Sequence, residues 1–461
     1  MNTDSRQVAI ACQGGGSHAA FGAGVLQRLL RQTGDYENYR ISGLSGTSGG
    51  ALCALLAWYG LVDGGSETAI DLLDRFWRDN STQLLWEQAL NQTTLAISRL
   101  PTEVRVSPYD PTLGWMQQQL ELWAPRKQFV SLETLLARHI DSQRLVQLQQ
   151  HPSRVTDPVL LIGAVDVLSG AFKAFSSRRR EISLAVAQAS AALPRLFRAV
   201  ELGDTAYWDG LFSQNPPIHN FFFDTGTVTG KPDEIWVIQI NPQRIGQIPK
   251  TAEEIADRRN TLAGNLSLNQ ELRFIDTVNK WLLQGTLTEA AERNRLKVVK
   301  TYRLALDRER LREHWALDPA SKLDRSAGFI EALIGEGQLQ AALFLPVRGF
   351  IEQLWNHDDD SAAGLMAADS EFHCAGERLR GGEAIAAALV GNDLPGGLGE
   401  LKITASELVF EPDGPPGDGQ VSLRWSGCQS NRTHRKSGAA RFELRDGRIK
   451  KVDFQPDTDR S

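Results

Sequence analysis

The pentapeptide Gly46-Thr47-Ser48-Gly49-Gly50 places a serine between glycines, at the point where a short strand pattern, Ile41 to Ser45, meets an apolar helix pattern, Ala51 to Trp58. A G-x-S-x-G turn from strand to helix is too tight for side chains on either flank. The serine oxygen therefore projects free and the first helix amides face it. Upstream, Val8 to Cys12 reads as a buried strand, Gly14-Gly15-Gly16 follows it, and Phe21 to Leu30 reads as a helix. Strand, glycine loop and helix open an α/β unit. Together the two motifs suggest a serine acyl hydrolase in which the nucleophile and the amide cradle for its anion share one corner.

With 461 residues the chain exceeds the size at which one core keeps growing, so two domains are expected. The net charge of -6 gives no electrostatic reason to expect nucleic acid. Cys12, Cys53, Cys374 and Cys428 are too scattered for a disulfide framework. They form no C-x-x-C pair that would suggest zinc, and they read as thiols in a reducing compartment. Val8 to Cys12 is too short for a signal-peptide core, and the longest apolar stretch, Ala51 to Val62, is too short to cross a bilayer. The expectation is a cytoplasmic protein, with peripheral membrane contact left open.

Residues 64–155 read as mostly helical. Prolines break the pattern at Leu100-Pro101 and Ser107-Pro108-Tyr109-Asp110-Pro111, and the segment carries Trp77, Trp86, Trp115 and Trp123, a composition suited to capping a pocket. Val159 to Val165 and Ala171 to Phe175 read as a hairpin through Ser169-Gly170, and the alanine-rich Ile182 to Leu193 as a helix stopped by Pro194. Glu234 to Ile240 is a further central strand. Ala252 to Leu283 is a long amphipathic helix with Ile255, Leu262, Leu266, Leu272, Ile275 and Val278 on helical spacing. Beyond the acidic break Asn356-His357-Asp358-Asp359-Asp360 the texture changes to short helices followed by strands. The last two strands meet at the hairpin turn Arg445-Asp446-Gly447-Arg448. The expected division is an α/β domain over 1–348 and a separate α+β domain over 353–461.

Serine is a weak nucleophile without a base, and the most suggestive partner is Asp209 in Tyr207-Trp208-Asp209-Gly210-Leu211. Asp-Gly alone marks only a turn. In order, however, Gly14-Gly15-Gly16, Gly46-Thr47-Ser48-Gly49-Gly50, Ala189-Ser190-Ala191-Ala192-Leu193-Pro194-Arg195-Leu196-Phe197 and Trp208-Asp209-Gly210 resemble the patatin-like phospholipase family. The resemblance covers residues 8 to 345, about. It implies a three-layer α/β/α hydrolase with a helical cap, acting on lipid or other acyl esters without metal or cofactor. It also implies a Ser48-Asp209 dyad without histidine. Gly14, Gly15 and Gly16 would donate to the oxyanion, joined by Gly49. Gly46 and Gly50 would shape the elbow, and Gly210 the turn after the aspartate.

Two departures stand out: His18 and Ala19 replace the Arg or Lys and the Gly with which that loop usually continues, and Leu211 follows Gly210 where many members have a small residue. The first removes a fixed positive charge from the cradle. Because an aspartate of ordinary pKa is a poor base, the dyad predicts activity kept in alkali and lost in acid, without an imidazole-like limb near neutrality.

Rival readings are a Ser-Asp-His carboxylesterase with His219 as base, and a lipid-binding scaffold on the same fold with negligible turnover. A dinucleotide fingerprint at Gly14 to Ala19 fails because Asp35 and Glu37 sit in a polar loop instead of closing a strand. The basic triplet Arg178-Arg179-Arg180 reads as a solvated helix approach, and the cap tryptophans other than Trp77 and Trp86 as candidates for a lipid surface. The C-terminal segment resembles the SnoaL-like α+β cone. That resemblance implies a small-ligand site or a homodimer surface, with Glu371, His373 and Trp425 as candidate lining residues.

Overall fold

The computed structural model describes residues 5–32, 38–100, 107–151, 157–194, 196–223, 231–287, 296–315, 317–356, 364–391, 393–395, 401–413, 417–429 and 435–457. Asp35, Glu37, Pro101, Arg195 and the acidic break at 357–360 lie outside the described residues.

The first strand, β1 (Arg6–Cys12), is apolar throughout its second half and lies at the centre of a parallel layer, between β2 (Tyr39–Thr47) and β7 (Glu234–Gln239). On the far side of β2 come β3 (Val159–Asp166), its hairpin partner β4 (Phe172–Ser176), and the antiparallel pair β5 (Val200–Leu202) and β6 (Thr205–Asp209). On the far side of β7 lies β8 (Lys300–Ala305). Alternation sorts the side chains: Val8, Ile10 and Cys12 enter one core, whereas Ala9 and Ala11 enter another with Val159, Leu161, Ile235 and Val237.

Helices α1 (Ala20–Arg31), α2 (Gly49–Gly64) and α3 (Ser66–Asn80) cover the first face. The cap follows as α4 (Leu85–Ser98), α5 (Pro111–Trp123), α6 (Lys127–Val130), α7 (Leu132–His139) and α8 (Ser142–Gln150), and α9 (Leu184–Ala191) is the alanine-rich helix. A short α10 (Asn220–Phe223) precedes α11 (Ala252–Leu283), which covers the second face through Leu268, Leu272 and Ile275. Ile255, Leu262 and Leu266, expected on that buried stripe, are exposed instead. The first half of α11 buries polar Thr261 and Asn265, and Asn265 and Arg258 bond the chain at 241–243.

The sheet does not stop at β8. After α12 (Arg308–Arg312), α13 (Ala327–Asn356) packs its first half on α1 and continues through the expected 348–353 boundary to set Phe350 against Phe442 at 5.4 Å. Strands β9 (Met366–Cys374) and β10 (Glu377–Arg380), helix α14 (Gly382–Val390) and strands β11 (Leu401–Pro412), β12 (Gly419–Gln429), β13 (Arg435–Arg445) and β14 (Arg448–Pro456) complete the chain. β11 joins β8 in parallel register, Glu407 opposite Arg303, so one sheet runs β10-β9-β14-β13-β12-β11-β8-β7-β1-β2-β3-β6-β5. β9 corrects the expectation of helices there. Its Ala and Asp content lowers strand propensity, and only the buried Met366, Phe372 and Cys374 mark it.

Beneath this junction Arg348 of α13 donates to both carboxylate oxygens of Glu234, at 2.8 and 3.1 Å, while Lys300 and Arg6 meet Glu352. Such a buried network holds α13 at one register against β7 and β8, because breaking one partner would leave an uncompensated charge inside. Among the described residues no helix is long and apolar enough to cross a membrane.

Candidate active site

Ser48 stands between β2 and α2 with φ 56° and ψ -132°, a left-handed backbone that a serine adopts only when its surroundings compel it. The compulsion is steric. A Cβ at Gly46 would lie 2.3 Å from the Gly50 carbonyl oxygen, and one at Gly50 would lie 2.2 Å from that of Cys12. Both flanks must be glycine for the helix to start this close to the strand ends. Ser48 itself is half-buried, whereas its neighbours Thr47, Gly49 and Gly50 are buried.

Asp209 closes β6 opposite Ala164 of β3 and is 1% exposed. Gly210 follows because a Cβ there would fall 2.7 Å from the Gly163 carbonyl oxygen. The Leu211 amide donates to Asp209 Oδ1 at 2.9 Å. Burial dominates and pushes the carboxyl up to about 7, against the opposing pull of the Ser48 side chain and the Leu211 amide.

The glycine triplet lies against the serine. A Cβ on Gly14 would come within 2.7 Å of Ser48 Cβ, and one on Gly49 within 2.7 Å of the Gly16 carbonyl oxygen. Gly16 has φ 59°. The Gly14 amide, expected among the oxyanion donors, is not open to a ligand, because it donates to Asn215 Oδ1 at 2.8 Å. The amides of Gly15, Gly16 and Gly49 take no partner among the described residues. Gly15 and Gly16 are half-buried and exposed respectively, and Gly49 opens α2 with the helix dipole behind it.

Several polar side chains that sequence reasoning left without a role hold this corner. Ser190 Oγ accepts the Ser48 amide at 3.0 Å and donates to the Gly163 carbonyl at 2.7 Å. Thr47 Oγ1 donates to the Gln214 carbonyl at 2.6 Å. Gln13 Oε1 accepts from the Ile240 and Asn241 amides, and Asn241 Nδ2 donates to the Gly14 carbonyl at 3.2 Å. The one signal for Gln13 was a polar residue directly after an apolar strand; Asn215-Pro216-Pro217 after the aspartate resembled a bacterial branch of the family without giving Asn215 a role, and Asn241 carried no signal.

His18 is buried edge-on to Phe329, and its pKa is pushed well down by burial and by the charges of Lys322 and Arg308, so the ring is neutral. Ser321 gives its single hydroxyl proton to the Asp318 carbonyl. The 2.9 Å contact therefore requires His18 Nε2 to be the donor, which makes His18 a strut between the glycine loop and the segment at 321.

His219 is 46% exposed, with Nδ1 2.8 Å from Gln214 Nε2 and 3.5 Å from Glu271. The Asp209 carboxylate accepts from the Leu211 amide, and His219 is not among its partners. Glu371 and His373 meet each other at 3.3 Å on β9, which is eight strands from β2 and so about 40 Å along the sheet. Trp425 is buried in β12 and does not join them at a common opening.

Residues 10–222 match the family model described as patatin-like phospholipase. No curated protein matches the chain. Solved structures similar to part of it include a protein from Sphaerobacter thermophilus, 21% identical, covering 25% of this chain and 96% of that one with a TM-score of 0.20. Another is an LEH-like epoxide hydrolase from M. tuberculosis, at 20% identity, 25% and 82% coverage and a TM-score of 0.19. A third is an NTF2-like protein from Mesorhizobium loti, at 19% identity, 25% and 92% coverage and a TM-score of 0.18. At these scores the likenesses carry no argument about what this chain does.

Proposed function

Residues 10–222 match the model of the patatin-like phospholipase family, and from that likeness we propose a lipid acyl-ester hydrolase working through Ser48 and Asp209. The observation that carries the proposal is a buried carboxyl, Asp209, pushed up to about 7 and so basic near neutrality, with the Ser48 side chain among the groups that act on it. Ser48 Oγ attacks the ester carbonyl carbon while its proton passes to Asp209. The tetrahedral oxyanion rests on the amides of Gly15, Gly16 and Gly49. Collapse breaks the bond to the alcohol, which leaves with the proton from Asp209, and Ser48 stays acylated. Water then gives a proton to Asp209 and attacks the acyl carbon, and the proton returns to Ser48 as the carboxylic acid departs. Each oxyanion donor contributes about 3 to 4 kcal/mol by analogy with other serine hydrolases.

A lipid substrate is supported by exposed apolar surface on α5 and α11. α5 buries none of its residues, and Trp115 and Trp123 are 62% and 81% exposed. Its approach is tied to the segment before β5 by the Ala199 amide donating to Tyr109 Oη at 3.0 Å and by Arg198 donating to the Pro108 carbonyl. That segment leads through β5 and β6 to Asp209. Phe212, three residues after Asp209, is exposed as well, as are Ile255, Leu262 and Leu266 of α11. Indole and aliphatic groups so placed suit the boundary between headgroups and acyl chains.

A fluorophosphonate probe tests the reaction class. Labelling of the wild type that disappears in Ser48→Ala, together with ester turnover lost in Ser48→Ala and Asp209→Asn, is expected. An unlabelled, folded wild type would favour a lipid-binding scaffold, and turnover abolished by His219→Ala would favour a triad.

A further inference from the structure

The seam between β8 and β11 carries a charge pattern that ester hydrolysis does not use. Alternation sets Arg303 of β8, Glu407 of β11 and Arg424 of β12 in one row across the sheet, on the face turned away from α13. Over that row lies a cleft of about 530 Å³ whose walls include Arg244, Arg441, Val409 and Ala305. An adjoining hollow adds Arg273 and Asp276 from α11.

The charges there do not balance. Five guanidinium groups face Glu407, Asp276 and Asp453, and Asp453 is already engaged by His373 at 2.9 Å and Lys451 at 3.0 Å. Among the described residues none of the five arginine side chains makes a hydrogen bond or an ion pair. Arg303 is the most enclosed of them. Burial lowers its pKa, with only the attraction of Glu407 opposing. A guanidinium withdrawn from water without a hydrogen-bond acceptor is costly, and an anion entering the cleft would remove that cost.

The shape of the arginine set narrows the anion. A single carboxylate fills one guanidinium fork, whereas a tetrahedral phosphate offers oxygens to two or three at once. Arg303 and Arg424 sit two strands apart, about 10 Å between backbones, a span that their side chains can close around one such group. The cleft is also larger than phosphate alone and falls within the usual range for small organic ligands. We propose that this seam cleft binds a small organic phosphate, with Arg303 and Arg424 clamping the phosphoryl group and the Val409 and Ala305 wall receiving the organic body. The phosphoryl group can come from a soluble ester or from a lipid headgroup.

Titration calorimetry on the full chain with glycerol 3-phosphate and with inorganic phosphate tests the site, and sedimentation with vesicles of phosphatidic acid in phosphatidylcholine separates the two sources. Saturable binding is expected, weakened about tenfold or more in both Arg303→Gln and Arg424→Gln. Arg424 is exposed, so its variant remains informative if Arg303→Gln folds poorly, and unchanged ester turnover serves as the folding control. Binding of glycerol 3-phosphate without vesicle recruitment assigns a soluble ester, and recruitment lost in the variants assigns a headgroup. Absence of saturable phosphate binding by wild type, or equal affinity in wild type and both variants, overturns the proposal. So does phosphate-independent self-association that Arg424→Gln abolishes, which would make this face an interface between copies of the chain.

Discussion

Ser190 holds the backbone of Ser48: its Oγ accepts the Ser48 amide at 3.0 Å and passes its own proton to the Gly163 carbonyl at 2.7 Å. One hydroxyl thus joins the elbow to β3, the strand beside which Asp209 emerges. Ser190→Ala leaves a buried amide and a buried carbonyl unsatisfied, a loss of about 1 to 3 kcal/mol each way of counting. The expected outcome is a Tm lower by several degrees and a kcat reduced about tenfold or more, with KM little changed, because the nucleophile is misplaced and the substrate surface is intact. Steady-state kinetics with a short-chain ester and thermal melts check both readings. Full kcat in a destabilised variant would show that Ser190 only supports the fold.

Burial of Asp209 governs the pH behaviour. Its carboxyl, pushed up to about 7, must be ionised to take the serine proton, so kcat/KM should rise through pH about 7 and level off above it. This corrects the expectation of a profile without a limb near neutrality. The limb falls where a histidine would put it, and its position no longer separates the two. Its temperature dependence does, since carboxyl ionisation has little heat and imidazole ionisation a large one.

The same shift has a stability consequence of definite sign. In the unfolded chain the group titrates near about 4, so between about 4 and 7 the folded state keeps a proton that the unfolded state releases, and stability falls as pH rises through that window. Above about 7 the buried carboxylate costs up to about 4 kcal/mol. Asp209→Asn should therefore melt higher than wild type at pH 8 and alike at pH 4. An equal melting gap at both values would sink the argument.

What the sequence made legible was whatever depends on local periodicity or on a residue type that backbone geometry demands. α11 matches the expected helix at both ends, and the Asp446-Gly447 turn has φ 51° and 71° at its two central residues, the values that favoured Asp-Gly there. The parts that were not legible depend on partners far away in the chain. Asn215 and Gly14 are joined only once β1 and the segment after β6 are both in place. The pairing of β11 with β8 likewise has no local signature, because either strand would read the same at the edge of its own sheet.

Asn215 shows how much of the glycine loop is set by such a partner. Its Oδ1 fixes the Gly14 amide at 2.8 Å, and Gly14 in turn touches Ser48 with no space for a methyl group. Asn215→Ala should lower kcat about tenfold or more while leaving probe labelling of Ser48 detectable, since the nucleophile and base persist and only the cradle loosens. Gly14→Ala should be far more damaging, because its Cβ would lie 2.6 Å from the Thr47 carbonyl oxygen and force the elbow away from Asp209. Comparable activity in Gly14→Ala and wild type would show that the loop can shift without cost.

The exposed face of α5 carries a prediction that separates surface binding from chemistry. Trp115 and Trp123 take part in none of the hydrogen bonds that define the Ser48 corner, yet with Met116 and Leu120 they present indole and aliphatic groups to solvent on a helix whose approach is tied to the segment leading to Asp209. If the surface docks on lipid, Trp115→Ala with Trp123→Ala removes contacts made with the aggregate and none made with a dissolved molecule. Turnover of phospholipid in vesicles should fall about tenfold or more, whereas a short-chain ester below its solubility limit should be hydrolysed at the wild-type rate. Each indole that leaves water at an interface contributes of the order of 1 to 2 kcal/mol, so two of them suffice for that factor. Equal losses on both substrates would mean that the helix shapes the acyl site itself, and no loss on either would leave the tryptophans without a part in substrate capture.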